Sequence, residues 1–249
     1  MRSFALYSIK GGVGKTATAV NLAYLSARAG NRTLLWDLDP QGASSFYFRV
    51  RPQVAKPKKL LRGKRDLDRA IKGSDYDGLD LLPADAAYRR MDLLLNEAKK
   101  PTSRLRRLLE PAAESYDCLI LDCPPSLTLV SENVFRAVDA LLVPVIPTPL
   151  SVRTLRQLVD FVGASPDASA AVWPFFALAD RRKRLHQEIL AATPEPRAPM
   201  LQAVVPYHSE VERMGLHRAP VAAYAPGTAA AKAYAALWQE VAGRLGLRH

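Results

Sequence analysis

The sequence predicts an α/β fold: a single domain over residues 1–249 with a mostly parallel, twisted sheet flanked by helices. Three observations predict it. Short apolar runs recur, among them Phe4-Ala5-Leu6-Tyr7, Leu34-Leu35-Trp36, Cys118-Leu119-Ile120-Leu121 and residues 140–146. Continuous apolarity, rather than alternation, marks strands buried on both faces, as in parallel sheets. Helix-compatible stretches separate these runs, and a glycine-rich turn, Gly11-Gly12-Val13-Gly14, joins the first run to the first helix. At 249 residues and 49% hydrophobic composition, the chain can bury a sizeable core in one domain.

Strand 1, at about residues 4–8, leads through that turn into a helix over 17–29, which Gly30 and Asn31 stop. A glycine-rich turn opening a helix leaves backbone N–H groups unpaired, and with the positive end of the helix dipole they form a phosphate cradle. Lys15 is placed to reach the β- and γ-phosphates and the Thr16 hydroxyl to ligate Mg²⁺. The usual phosphate-loop pattern would put glycine at position 9; here Ile9 stands there, followed by a second lysine, Lys10. Strand 2, residues 33–37, brings Asp37 and Asp39 to its carboxyl end, where ligands bind in such sheets. The alternative is a pair of turn or helix-cap carboxylates, as Asp-Pro commonly is.

Residues 49–65 form a basic insertion, with Arg49, Arg51, Lys56, Lys58, Lys59, Arg62, Lys64 and Arg65 and no acid. Such a run is either solvated surface or a polyanion contact. Strand 3 (79–83) precedes two amphipathic helical stretches, 86–98 and 103–114, whose leucines face a core. Strand 4 (118–121) presents Asp122 at its tip, where a carboxylate can hold Mg²⁺ through a bound water. Pro124 and Pro125 stiffen the loop beyond it. A strand at 140–146, a helix at 151–162 and a strand at 173–179 follow. Arg181, Arg182, Lys183 and Arg184 are expected on the first turn of the next helix, where cationic charge opposes the dipole and points to an external anion. A proline-rich loop (192–199), a last strand (201–205) closed by Pro206, and an alanine-rich helix (228–245) complete the chain.

Lys10-Gly11-Gly12-Val13-Gly14-Lys15-Thr16 resembles the deviant Walker A motif of the ParA/MinD class of P-loop ATPases. In the same order, residues 34–42, ending Asp39-Pro40-Gln41-Gly42, resemble that class's switch I in its ParA (Soj-like) branch. Residues 118–126 resemble its Walker B strand and switch II. The resemblance implies ATP and Mg²⁺ as cofactors, with the phosphates cradled by Gly11, Gly12, Val13, Gly14, Lys15, Thr16 and Ala17. It implies metal contacts from Thr16, Asp37 and Asp122, and catalytic roles for Lys10, Lys15 and Asp39, the last orienting the attacking water. Pro206 and Tyr207 would flank the adenine; a tyrosine simply packed in a loop is the other reading. Lys10 would cross an ATP-bound sandwich homodimer to the partner's phosphates.

The family reading further implies a dimer that binds non-specific DNA, a ParB-like or other cargo adaptor that stimulates hydrolysis, and a cytoplasmic, nucleoid-associated protein. Lys56, Lys58, Lys59, Arg62, Lys64, Arg65, Arg181, Arg182 and Arg184 are the DNA-contact candidates. Two departures stand out: Ala17 replaces a second threonine common in the family, and Tyr207-His208-Ser209 replaces an Arg-Asn-rich stretch.

Composition agrees with an anionic partner: 35 Lys plus Arg against 24 Asp plus Glu give a net charge of +11, although basic charge also serves solubility. Two cysteines close together in one extended segment are poor disulfide partners and point to a reducing compartment. No apolar run is long enough to span a membrane, and the chain enters strand 1 without room for a signal peptide. The main alternative is a MinD-like membrane-cycling regulator anchored by the final helix through Trp238, Arg244 and Arg248. An iron–sulfur electron donor of similar fold would need a cluster cysteine within 84–117, where none occurs.

Overall fold

The computed structural model describes residues 1–51, 64–96, 104–165, 168–192 and 195–249. Its strands are β1 (Arg2–Leu6), β2 (Thr33–Asp37), β3 (Lys72–Gly73), β4 (Leu79–Leu82), β5 (Cys118–Asp122), β6 (Ala140–Val145), β7 (Ala171–Ala179) and β8 (Val204–Pro206). Its helices are α1 (Lys15–Arg28), α2 (Ala43–Tyr47), α3 (Lys64–Ala70), α4 (Met91–Asn96), α5 (Arg104–Leu109), α6 (Leu129–Ala137), α7 (Pro149–Ala164), α8 (Arg184–Ala191), α9 (Ser209–His217), α10 (Val221–Tyr224) and α11 (Ala229–Leu245). Short 3₁₀ turns at Ala86–Arg90 and Glu110–Glu114 extend α4 and α5 within the two stretches expected to be helical.

The strands form one eight-stranded sheet in the order β3-β4-β2-β5-β1-β6-β7-β8, parallel except for the β3–β4 edge. Continuous apolar strands are needed because both faces are covered. Along β2, Leu34 and Trp36 enter one core cluster and Leu35 the other; along β5, Leu119 and Leu121 oppose Cys118 and Ile120. Helices α6 and α7 cover the first face with Val134, Phe135, Leu155 and Leu158, while α1 and α11 cover the second with Leu22, Tyr234, Leu237 and Trp238. Both cysteines are free and buried. Among the described residues no helix is long and apolar enough to cross a membrane.

Several expected elements move. The first strand begins at Arg2, because Arg2 N donates to Asp117 O and Ser3 N to Asp139 Oδ2, drawing the start of the chain into the sheet; it ends at Leu6, with the Tyr7 amide making one more bond to Leu142 O of β6. The last strand starts at Val204 rather than 201, since the Gln202 and Ala203 amides donate to the Glu240 carboxylate of α11 (2.8 and 3.2 Å) instead of to β7. Helix α6 was not foreseen; it starts at Thr128 through a reciprocal cap with Ser131. Helix α9 was not foreseen either, and His208, through Nδ1, accepts from the Glu210 amide as its cap. Of the basic cluster 181–184, only Arg184 is helical. Asp180 forms a turn ahead of α8, accepting from Arg182 N through Oδ1 and from Lys183 N through its carbonyl.

Candidate phosphate and metal site

The parallel register fixes the chemistry at the carboxyl end of the sheet. Asp37 closes β2 and Asp122 closes β5, and the two are direct register partners. Adjacent strands lie about 4.8 Å apart, so two carboxyl groups are held side by side. Both residues are fully buried. Burial foremost pushes the Asp37 carboxyl up, and the neighbouring Asp122 charge adds to it. Burial likewise raises Asp122, while hydrogen bonds from Ser44 and Thr16 and the Lys15 ammonium pull it back.

One strand over, β1 feeds the glycine loop. Gly12 and Gly14 have φ of 70° and 92°, left-handed values that a side chain would strain. Gly14 starts α1 without any side-chain cap, so the helix N-terminus faces the loop interior with its first-turn N–H groups. Lys15 is buried, and its Nζ donates to the Lys10 carbonyl at 3.0 Å, curling the ammonium back over the loop. Burial lowers its affinity for a proton, and Asp122 is first among the groups that restore it. A half-buried Lys10 therefore shapes the loop through its backbone while Lys15 and Thr16 are brought to Asp122.

The loop after β2 completes the site. Asp39 Oδ1 accepts from the Gln41 amide (2.9 Å), and Gly42, at φ 69°, turns the chain into α2. Ser44 Oγ donates to Asp122 Oδ2, and both the amide and hydroxyl of Ser45 donate to Asp37 Oδ2, each at 2.8 Å. Ser45 Oγ in turn accepts from the Ala84 amide at 3.0 Å. Sequence reasoning missed these two serines; the signal was Gly42-Ala43-Ser44-Ser45, a helix start directly beyond the acidic pair.

Each carboxylate keeps one buried oxygen, Asp37 Oδ1 and Asp122 Oδ1, without a hydrogen-bond partner. An orphaned buried carboxylate oxygen is costly unless a cation meets it. Two carboxylates and the Thr16 hydroxyl are hard oxygen donors of the kind Mg²⁺ takes, with phosphates and waters completing its shell. Among the described residues no three His, Cys, Asp or Glu side chains form a closed metal cage.

On the far side of the sheet end, Pro206 and Tyr207 line an open cavity of about 660 Å³ together with Asp180, Arg181, Arg182 and His208. Arg181 and Arg182 are thus gathered with the expected base-binding pair. Arg182 is paired to Asp180 and Arg184 to Glu188, both at 2.9 Å, so two of these cations already have acids of the same chain beside them. Lys56, Lys58, Lys59 and Arg62 lie outside the described residues, and Lys64 and Arg65 begin α3.

A family model described as an AAA domain matches residues 1–169. The chain is 32% identical over 248 residues to an uncharacterized protein of Pseudomonas putida, covering 97% of this chain and 94% of that one. It is 31% identical over 257 residues to the chromosome partitioning protein ParA of Caulobacter vibrioides, with 98% and 95% covered. Among solved structures, apo McdA from Cyanothece superposes with a TM-score of 0.82 at 20% identity, over 99% of this chain and 100% of that one. The cell division ATPase MinD of Pyrococcus furiosus gives 0.77 at 20% identity, over 98% and 99%. The family model and a ParA relative of this identity and coverage make the chain a member of the ParA/MinD class of P-loop ATPases, and the solved structures share its fold.

Proposed function

We propose that the chain binds ATP with Mg²⁺ at the carboxyl end of its sheet, hydrolyses it, and uses the cycle to position a cargo along DNA. The observation that carries this reading is the meeting of Lys15 and Thr16 with Asp122, the register partner of Asp37, while each of the two buried carboxylates keeps one oxygen unpartnered. The N–H groups from Gly11 to Ala17 hold the triphosphate, and Lys15 neutralises its β- and γ-oxygens. Thr16, Asp37 and Asp122 hold the Mg²⁺, which offsets charge on the phosphates when bound. Asp39 orients the attacking water from the loop beyond β2. Phosphoryl transfer needs positioning and charge neutralisation more than covalent chemistry, and these residues supply both.

One ammonium per site leaves negative charge uncompensated as the γ-phosphate departs. Lys10 supplies the second from the other subunit of an ATP-bound homodimer, in the manner of an arginine finger. The base rests against Pro206 and Tyr207 in the cavity beside β8. A net charge of +11 favours non-specific DNA as the matrix, and a ParB-like or other adaptor on the cargo stimulates turnover, in the cytoplasm on the nucleoid. The membrane-cycling alternative is weakened by burial. Trp238 is 3% exposed and Leu237 fully buried, so the apolar face of α11 is spent on the sheet.

Phosphate release with and without Mg²⁺, and with and without non-specific DNA, tests this directly. Mg²⁺-dependent release, lost in Lys15→Ala, is expected; release that ignores Mg²⁺ or survives that substitution would overturn it.

A further inference from the structure

Holding Asp37 and Asp122 falls to α2, which is five residues long and cannot sustain itself as an isolated helix. Its final carbonyls are met from beyond the helix, Ser45 O by the Val50 amide at 3.0 Å and Phe46 O by the Arg49 amide at 3.1 Å, and a carbonyl has a second lone pair to offer. Arg218, 172 positions along the chain, meets one of them: its Nε donates to the Phe46 carbonyl at 3.1 Å, and its guanidinium carbon lies 4.6 Å from the centroid of the Phe46 ring. A cation at a helix carboxyl end also complements the dipole.

Arg218 is fixed in turn. It takes a left-handed φ of 47° at the end of α9, with its amide donating to the Met214 carbonyl at 2.7 Å. Left-handed backbone is uncommon for a residue with a side chain and is retained where the surroundings enforce it. Met214 is fully buried, and its Sδ accepts from Asn21 Nδ2 of α1 at 3.4 Å. Asn21 Oδ1 accepts from the Val221 amide at 2.8 Å, closing the anchor on the helix that opens at the phosphate loop. The other end of α9 starts at His208 and Ser209, which line the 660 Å³ cavity.

We infer that Arg218 is a positioning residue: it clamps α2 so that Ser44 and Ser45 hold Asp122 and Asp37 ready for the metal, and it ties that geometry through α9 to the base-side cavity. The inference rests on the Mg²⁺–nucleotide reading above. Arginine suits the role because one planar group stacks on Phe46 with its face and donates with its edge, which lysine cannot do together.

Two measurements on Arg218→Ala and Arg218→Lys test it. Hydrogen exchange should quicken at the amides of residues 44–49 while α11 stays protected in both variants. The Mg²⁺ concentration that half-saturates binding of a fluorescent ATP analogue should rise about fivefold in Arg218→Ala, the worth of one net hydrogen bond, with affinity in EDTA within about twofold of wild type. Arg218→Lys, which keeps the charge and the fold, should fall between the two. Unchanged exchange at 44–49, or equal loss of affinity with and without Mg²⁺, would overturn the inference. If the wild-type chain binds nucleotide without regard to Mg²⁺, the functional reading fails instead, and the exchange result alone decides for Arg218.

Discussion

Asp37 and Asp122 stand side by side in register, buried, each with one oxygen that nothing in the described chain satisfies. A charged pair of this kind works against the metal-free fold. Burial raises both carboxyls above their unfolded values, so the folded state binds protons more readily than the unfolded one. Stability from this source is therefore greatest at low pH and is lost as pH rises from about 4 through the raised values. Asp37→Asn should accordingly raise the melting temperature of the nucleotide-free protein at pH 8, by about 2–4 °C for each kcal/mol of desolvation and repulsion removed. The gain should shrink at pH 5, where the wild-type pair takes up a proton, and calorimetry at the two pH values checks it. A variant equally stabilised at both would show that the buried charge is not the cause. The same substitution should weaken Mg²⁺-dependent nucleotide binding, which separates function from fold at a single residue.

At the scale of elements, α11 decides between two readings of one amphipathic helix. Leu237 is fully buried against the second core cluster, so Leu237→Ala should cost about 2–5 kcal/mol in urea unfolding, with no change in liposome co-sedimentation. Vesicle binding that disappears with the substitution would favour the membrane reading. How far the elements could be read in advance follows from the same physics. Strands β2, β5 and β6 announced themselves because two-faced burial leaves unbroken apolar runs, and the glycine loop because left-handed turns need Gly12 and Gly14. Helices α6 and α9 did not: in α6 Ser131 stands where a capping box opened by a residue such as Thr128 usually has Glu or Gln, and the cap of α9 is a histidine nitrogen. In the candidate site, the grouping of Lys15, Thr16 and Asp122 at one end of the sheet was legible from local pattern. Ser44, Ser45 and Arg218 were not, since their roles arise from contacts across 8 to 172 positions of chain.

At the scale of the whole molecule, the proposed cycle has the excess of basic residues act on polyanions and the loop lysine Lys10 act between chains. Neutralising Lys56, Lys58, Lys59, Arg62, Lys64 and Arg65 should weaken non-specific DNA binding and flatten its dependence on salt, each lost phosphate contact lowering the logarithmic slope by about 0.9. Binding isotherms across salt that superimpose with wild type would remove that run from the interface. The central claim is that each active site borrows the Lys10 ammonium of the other subunit while supplying its own Asp39. Lys10→Ala and Asp39→Ala should each be inactive alone. Mixed in equal amounts with ATP, half the dimers would pair one of each, and in those one of the two sites would regain both groups. Phosphate release should then return to about a quarter of wild type. A mixture no more active than its two parents would contradict the account.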